Sequence, residues 1–204
     1  MGAKLSRKPA DVFARIGQGS TRRVVDRIVA TFDRATPADI EAGARWYSDG
    51  EEHVDALVKV GNLPTREHAA AVLAHLSPRT TWARNVSGAY LLATGSEPTA
   101  CIGANVDRAR TAIASEDPLS TLNGPKTKRF AWNLLGYRQA VTVDVWAARV
   151  ALGEGDDDPE RTLGAVGVYD AIEHAYKLAA RRRGVDPTTM QATTWIVARG
   201  GRAA

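Results

Sequence analysis

The residue types that could do chemistry are concentrated in one stretch. Lys126, Lys128, Arg129 and Arg138 follow a Gly124-Pro125 turn with no acid among them, and a lone carboxylate, Asp144, then stands between Val143 and Val145. A turn that feeds a helix start presents free backbone N–H groups and a partial positive charge. With lysines beside it, such a start becomes a cradle for phosphate. Gly124 lets the backbone approach closely, and Pro125 sets the angle at which the helix begins. Asp144 admits three readings. It could cap the helix that follows it, pair with Arg149 in the core, or sit on a groove floor as a catalytic carboxylate with a shifted pKa. The residues alone favour capping, and a cap and a catalytic role are compatible.

Helices must position these groups. Apolar residues recur at helical spacing along most of the chain, and alternating patterns are nearly absent; residues 140–145 are the best strand candidate. Val24, Val25, Ile28, Val29 and Phe32 share one face of a helix that starts at Thr21. Thr36-Pro37 reads as a cap and first turn, with a second helical part over 51–60 and a buried, alanine-rich helix over 68–76. A turn at 77–81 caps a helix over 82–93, and another helix is expected over 105–114. The stretch of interest then supplies one helix over 126–135, turned into the core by Phe130, Trp132, Leu134 and Leu135, and one over 144–152. An acidic loop at 153–159, a long helix over 160–183 and a last helix over 188–199 complete an all-α chain of about ten helices. Residues 1–20 are basic, punctuated by Pro9, Gly17 and Gly19, and are expected to be poorly ordered apart from a short helical turn over 11–16.

Composition narrows the class. The chain has 204 residues, 44% hydrophobic and 25% charged, with a formal charge of +4. That suits one compact domain, or two small lobes sharing a groove. A single cysteine, Cys101, rules out an internal disulfide and any cysteine-rich zinc or iron–sulfur site, and is expected to be a small buried apolar group. His53, His68, His75 and His174 show no metal-ligand spacing, and three adjacent aspartates at 156–158 read as a solvated, helix-capping loop. No cofactor or metal is called for. No apolar run reaches membrane-spanning length and the first residues do not have the form of a secretory signal, so a cytoplasmic, monomeric protein without a membrane partner is expected.

The stretch resembles the helix-hairpin-helix DNA glycosylase superfamily, of the endonuclease III type. That family carries a hairpin of the form Leu-Pro-Gly-Val-Gly-Arg-Lys-Thr, then Val-Asp-Thr-His and a helix bearing Arg-Val. Here Gly124-Pro125-Lys126-Thr127 is followed by Val143-Asp144-Val145-Trp146 and Arg149-Val150, and Lys126 and Asp144 are eighteen residues apart, as are the family's catalytic lysine and aspartate. Leu76-Ser77-Pro78-Arg79-Thr80 is similar to the family's Leu-Ser-Ala-Gln-Ala turn, residues 104–113 to a helix carrying Lys-Ala-Glu-Asn-Ile-Ile, and residues 194–200 to His-Trp-Leu-Ile-Leu-His-Gly. The ordered set spans about residues 50–200. Three features depart from the pattern. The hairpin, Leu122-Asn123-Gly124-Pro125, is not the family's, Val145 and Trp146 replace Thr and His, and the cluster cysteines are missing after Trp195.

The resemblance implies a two-lobed, all-α helix-hairpin-helix glycosylase-like fold spanning residues 21–204, with a central groove in which Lys126 and Asp144 face each other. Its partner would be double-stranded DNA, gripped by Asn123, Gly124, Thr127, Lys128 and Arg129. Arg79 would fill the space left by an extruded nucleotide, Trp146 would wall the base pocket, and Asp144 and Lys126 would be catalytic. The implied activity is removal of a damaged or modified base, with β-elimination if Lys126 is the nucleophile. A nucleoid-associated location follows. Two other functions remain open at this point: a base-modifying or base-processing enzyme on the same fold, for which phage-encoded relatives would fit, and a non-catalytic DNA-binding module.

Overall fold

In a computed structural model of the chain, the described residues are 5–61, 63–153 and 156–200. Parts of the basic start, of the stop at Gly61-Asn62, of the acidic loop and of the final Gly200-Gly201 pair lie outside them. Among the described residues there are eleven α-helices, one short 3-10 helix at Pro118–Thr121 and no strand. The helices are α1 (Pro9–Arg15), α2 (Thr21–Phe32), α3 (Pro37–Lys59), α4 (Arg66–Leu76), α5 (Trp82–Ala93), α6 (Gly103–Ile113), α7 (Pro125–Leu134), α8 (Val145–Leu152), α9 (Pro159–Leu163), α10 (Val168–Arg183) and α11 (Pro187–Ala198). None is long and apolar enough to cross a membrane. The chain divides into two compact units. One holds residues up to Trp46 and from Arg138 onward; the other is Tyr47–Tyr137.

The first unit gathers α1, α2, α8, α10 and α11 around Phe13, Ile28, Ile172, Tyr176 and Met190, all fully buried. The apolar face predicted for α2 is the face that is buried. The expectation of a poorly ordered N-terminal segment does not hold from residue 9 to residue 15, where α1 forms with Val12 and Phe13 completely buried. The short helical turn expected over 11–16 is this helix, docked by those two apolar side chains. The long helix expected over 160–183 is two helices. Gly164 and Gly167 interrupt it, and Gly167 lies in the left-handed region at φ 78°, where a residue with a side chain is strained.

The second unit packs α4 against α5, α6 and α7. Every residue from His68 to Leu76 is buried, as the alanine-rich pattern implied. Of the residues expected to turn α7 inward, Leu134 is buried and Phe130 and Leu135 pack partly against the core, but Trp132 is 37% exposed. Cys101 is only partly buried, and burial raises its thiol pKa.

The two helical parts expected from Pro37 onward and over 51–60 are one continuous helix, α3. Its glycines serve packing. A Cβ at Gly43 would lie 2.1 Å from Thr193 Oγ1 in the first unit, and one at Gly50 would lie 2.6 Å from Leu134 Cδ2 in the second.

Candidate functional site

Asp144 is delivered by residues 140–144, the expected strand. The segment is extended but has no partner strand; α10 holds it with side chains. The Tyr169 hydroxyl accepts from Val143 N–H at 2.9 Å and donates to the Val141 carbonyl at 3.0 Å. The Glu173 carboxylate accepts from Val141 N–H at 3.4 Å and is paired with Lys177 at 2.9 Å. One helical turn further on, Tyr176 donates to the Ala147 carbonyl at 3.1 Å and accepts from Thr194 at 3.4 Å. Tyr169, Glu173 and Tyr176 stand at i, i+4 and i+7, on one face of α10. They satisfy backbone groups that a buried extended segment would otherwise leave unpaired. Burial, with a smaller contribution from the charge of Asp144, pushes the Tyr176 phenol well above its ordinary pKa, so it stays a neutral donor.

The segment ends at the start of α8, where Asp144 Oδ1 accepts from Ala147 N–H at 2.8 Å. This is the predicted cap. The second oxygen is held too: Trp195 of α11 donates its indole N–H to Asp144 Oδ2 at 3.1 Å. The half-exposed carboxylate thus has both oxygens oriented by N–H donors at the positive end of a helix. Around it, Trp46 tilts against Trp195 with ring centroids 5.0 Å apart, and the Arg199 guanidinium lies 4.4 Å above the Trp195 ring. Arg149 does not pair with Asp144; its guanidinium lies 4.8 Å over Trp146, which is half-buried.

In the second unit, α7 starts differently. Gly124 (φ 84°) precedes Pro125, and no side chain caps the helix. The backbone N–H groups of Lys126 and Thr127 have no hydrogen-bond partner among the described residues. Thr127 turns its hydroxyl back onto the Asn123 carbonyl at 2.6 Å, so its backbone amide is the donor it can offer outward. Asn123, Gly124 and Lys128 are exposed, and Lys126 is half-buried with no side-chain ion pair or hydrogen bond among the described residues. Arg129 lies 5.0 Å over Trp132. With no acid nearby in sequence, this helix start can accept an anion.

Arg79, also in the second unit, is exposed and lies at φ 58°. It is the described non-glycine residue with positive φ, a conformation that costs about 1–2 kcal/mol and concentrates at functional turns. Its turn is tied down by buried Asn105, whose amide donates to the Pro78 carbonyl at 3.3 Å, and by Thr80, whose hydroxyl donates to the same carbonyl at 3.3 Å.

Sequence reasoning therefore located Asp144 as a cap and the uncapped, basic start of α7. It missed the side chains that hold Asp144. Tyr169, Glu173 and Tyr176 carried a readable signal, a polar-tipped stripe on an otherwise apolar helix face. Trp195 carried none, because nothing in its neighbourhood points fifty-one residues back along the chain. None of the five tryptophans is fully buried. Among the described residues no group of three or more His, Cys, Asp or Glu could hold a metal ion. In the acidic loop Asp158 caps α9 through Arg161 N–H at 3.0 Å.

The chain belongs to the Family of unknown function (DUF7178), whose model matches residues 12–202. No curated protein and no solved structure matches it.

Proposed function

We propose that the chain is a DNA glycosylase that acts on a flipped-out damaged or modified base. The observation that carries this reading is the carboxylate of Asp144, fixed through both oxygens by Ala147 and Trp195 N–H donors. A carboxylate oriented in advance can stabilise the positive charge that develops on the deoxyribose as the N-glycosidic bond breaks and its electron pair leaves with the base. The electrons that neutralise C1′ come either from water or from the Lys126 amine. In the second case a C–N bond forms, the sugar opens to a Schiff base and β-elimination cuts the strand. The uncapped start of α7, with Asn123, Gly124, Thr127, Lys128 and Arg129, supplies phosphate contacts, and the left-handed turn at Arg79 supplies the wedge.

The cap itself favours a second reading. Asp144 Oδ1 makes the hydrogen bond that any N-cap aspartate makes, so a non-catalytic DNA-binding module would present the same contact. Incubation with duplexes carrying different lesions and modified bases, followed by borohydride trapping, separates the readings. An adduct that disappears in Lys126→Ala identifies a lyase. Base release that survives Lys126→Ala and is lost in Asp144→Asn identifies a simple glycosylase. Binding without release from any duplex leaves the module.

A further inference from the structure

The arginines of the first unit differ in what their charge is used for. Arg182 and Arg183, at the end of α10, are committed to Asp26 and Asp33, each at 2.5 Å. Arg27 donates to Gln18 and to the Ala151 and Leu152 carbonyls. Arg199 has no acidic partner among the described residues. Its guanidinium is laid over the Trp195 ring, 4.4 Å from the centroid, and the same indole donates to Asp144. One side chain thus fixes both an acid and a cation. Asp144 accepts from the Ala147 and Trp195 N–H groups and forms no direct ion pair with Arg199 among the described residues.

We infer that Arg199, stacked on Trp195, is a binding site for a DNA phosphodiester beside Asp144. The inference rests on the DNA reading above. The ring holds the guanidinium in place while its N–H groups, with no acidic partner among the described residues, can reach two phosphate oxygens. A nucleotide whose sugar approaches Asp144 brings a phosphate on either side, and each is repelled by the carboxylate. A cation held next to the acid offsets that repulsion without displacing the acid. The position at the C-terminal end of α11 is favourable for a cation, but the helix dipole does not require that the guanidinium be held over an aromatic ring.

Binding of the full chain to a labelled duplex carrying a tetrahydrofuran abasic-site analogue, measured across a series of KCl concentrations, tests this directly. Each phosphate contact contributes about one to the slope of log affinity against log salt. Arg199→Ala and Arg199→Gln should each lower that slope by about one, Arg199→Lys should keep it, and Arg182→Ala should leave it unchanged. The glutamine variant covers the indole without a charge, so it separates lost charge from lost stacking. If both neutral variants keep the wild-type slope, Arg199 makes no phosphate contact and the inference is overturned while the DNA reading stands. If the wild-type chain binds no duplex at any salt concentration, both fall together.

Discussion

Two helix starts, one in each unit, solve the same electrostatic problem in opposite ways. The first N–H groups of any helix need acceptors. At α8 the chain supplies its own: Asp144 caps the helix and is itself pinned by Trp195. At α7 it supplies none, placing Gly124-Pro125 ahead of two open amides and a run of cations. A closed start holds a carboxylate in place for use. An open start leaves room for an anion from outside. The difference separates a group that acts from a surface that binds, although both were read from the sequence as parts of one motif.

Removing the closure tests the contrast most severely. Asp144→Ala loses the cap and leaves the Trp195 N–H without its acceptor, and should lower unfolding stability by about 2–3 kcal/mol in urea titrations. Trp195→Phe, which removes the donor together with one ring of the indole that packs on Trp46 and Arg199, should cost about 1–2 kcal/mol, and the double variant should show a coupling of about 1 kcal/mol. Additive losses would mean that the indole does not hold the acid. At the open start, Gly124→Ala adds a Cβ that meets nothing within 4 Å, so its cost comes from the φ of 84° alone. That cost should be about 1 kcal/mol, with duplex binding weakened as well if the backbone approaches phosphate there.

A smaller effect is expected from pH. His75 is buried in α4 and its Nε2 contacts the Thr121 hydroxyl at 2.9 Å, just before the turn that leads to α7. Thr121 donates to the Pro118 carbonyl, so the imidazole is the donor in that contact. Burial, and then Arg108, lower its pKa from the ordinary 6.5. The unfolded chain therefore takes the proton first as pH falls. The stability from the neutral ring is complete above about 6.5 and is lost as pH drops through the lowered native value. Melting temperature should fall as pH drops below about 6.5, and His75→Gln should lose less over the same interval.

The helical periods of α2, α4 and α5, the capping turn at 77–81 and the cap Asp144 were legible because caps and amphipathic faces are local. What was not legible is non-local. Gly43 and Gly50 look like helix breakers until Thr193 and Leu134 are seen against them. Residues 140–145 look like a strand because strand and side-chain-clamped extended chain share one pattern; the clamp lies on α10. The same holds for the site. The acid could be named from its neighbours, but the indole that aims it could not.

The most direct test of the central claim is base release by wild type and Asp144→Asn, measured under single-turnover conditions on a panel of duplexes with modified bases. Asparagine keeps an oxygen for the cap and removes the charge, at the cost of turning its amide NH2 toward the Trp195 N–H. The wild-type chain should release a base from at least one duplex, and Asp144→Asn should be slower by about 10²–10³-fold while still melting cooperatively, with a stability loss of about 1 kcal/mol. Equal rates, or no release by the wild type from any duplex, would contradict a catalytic Asp144.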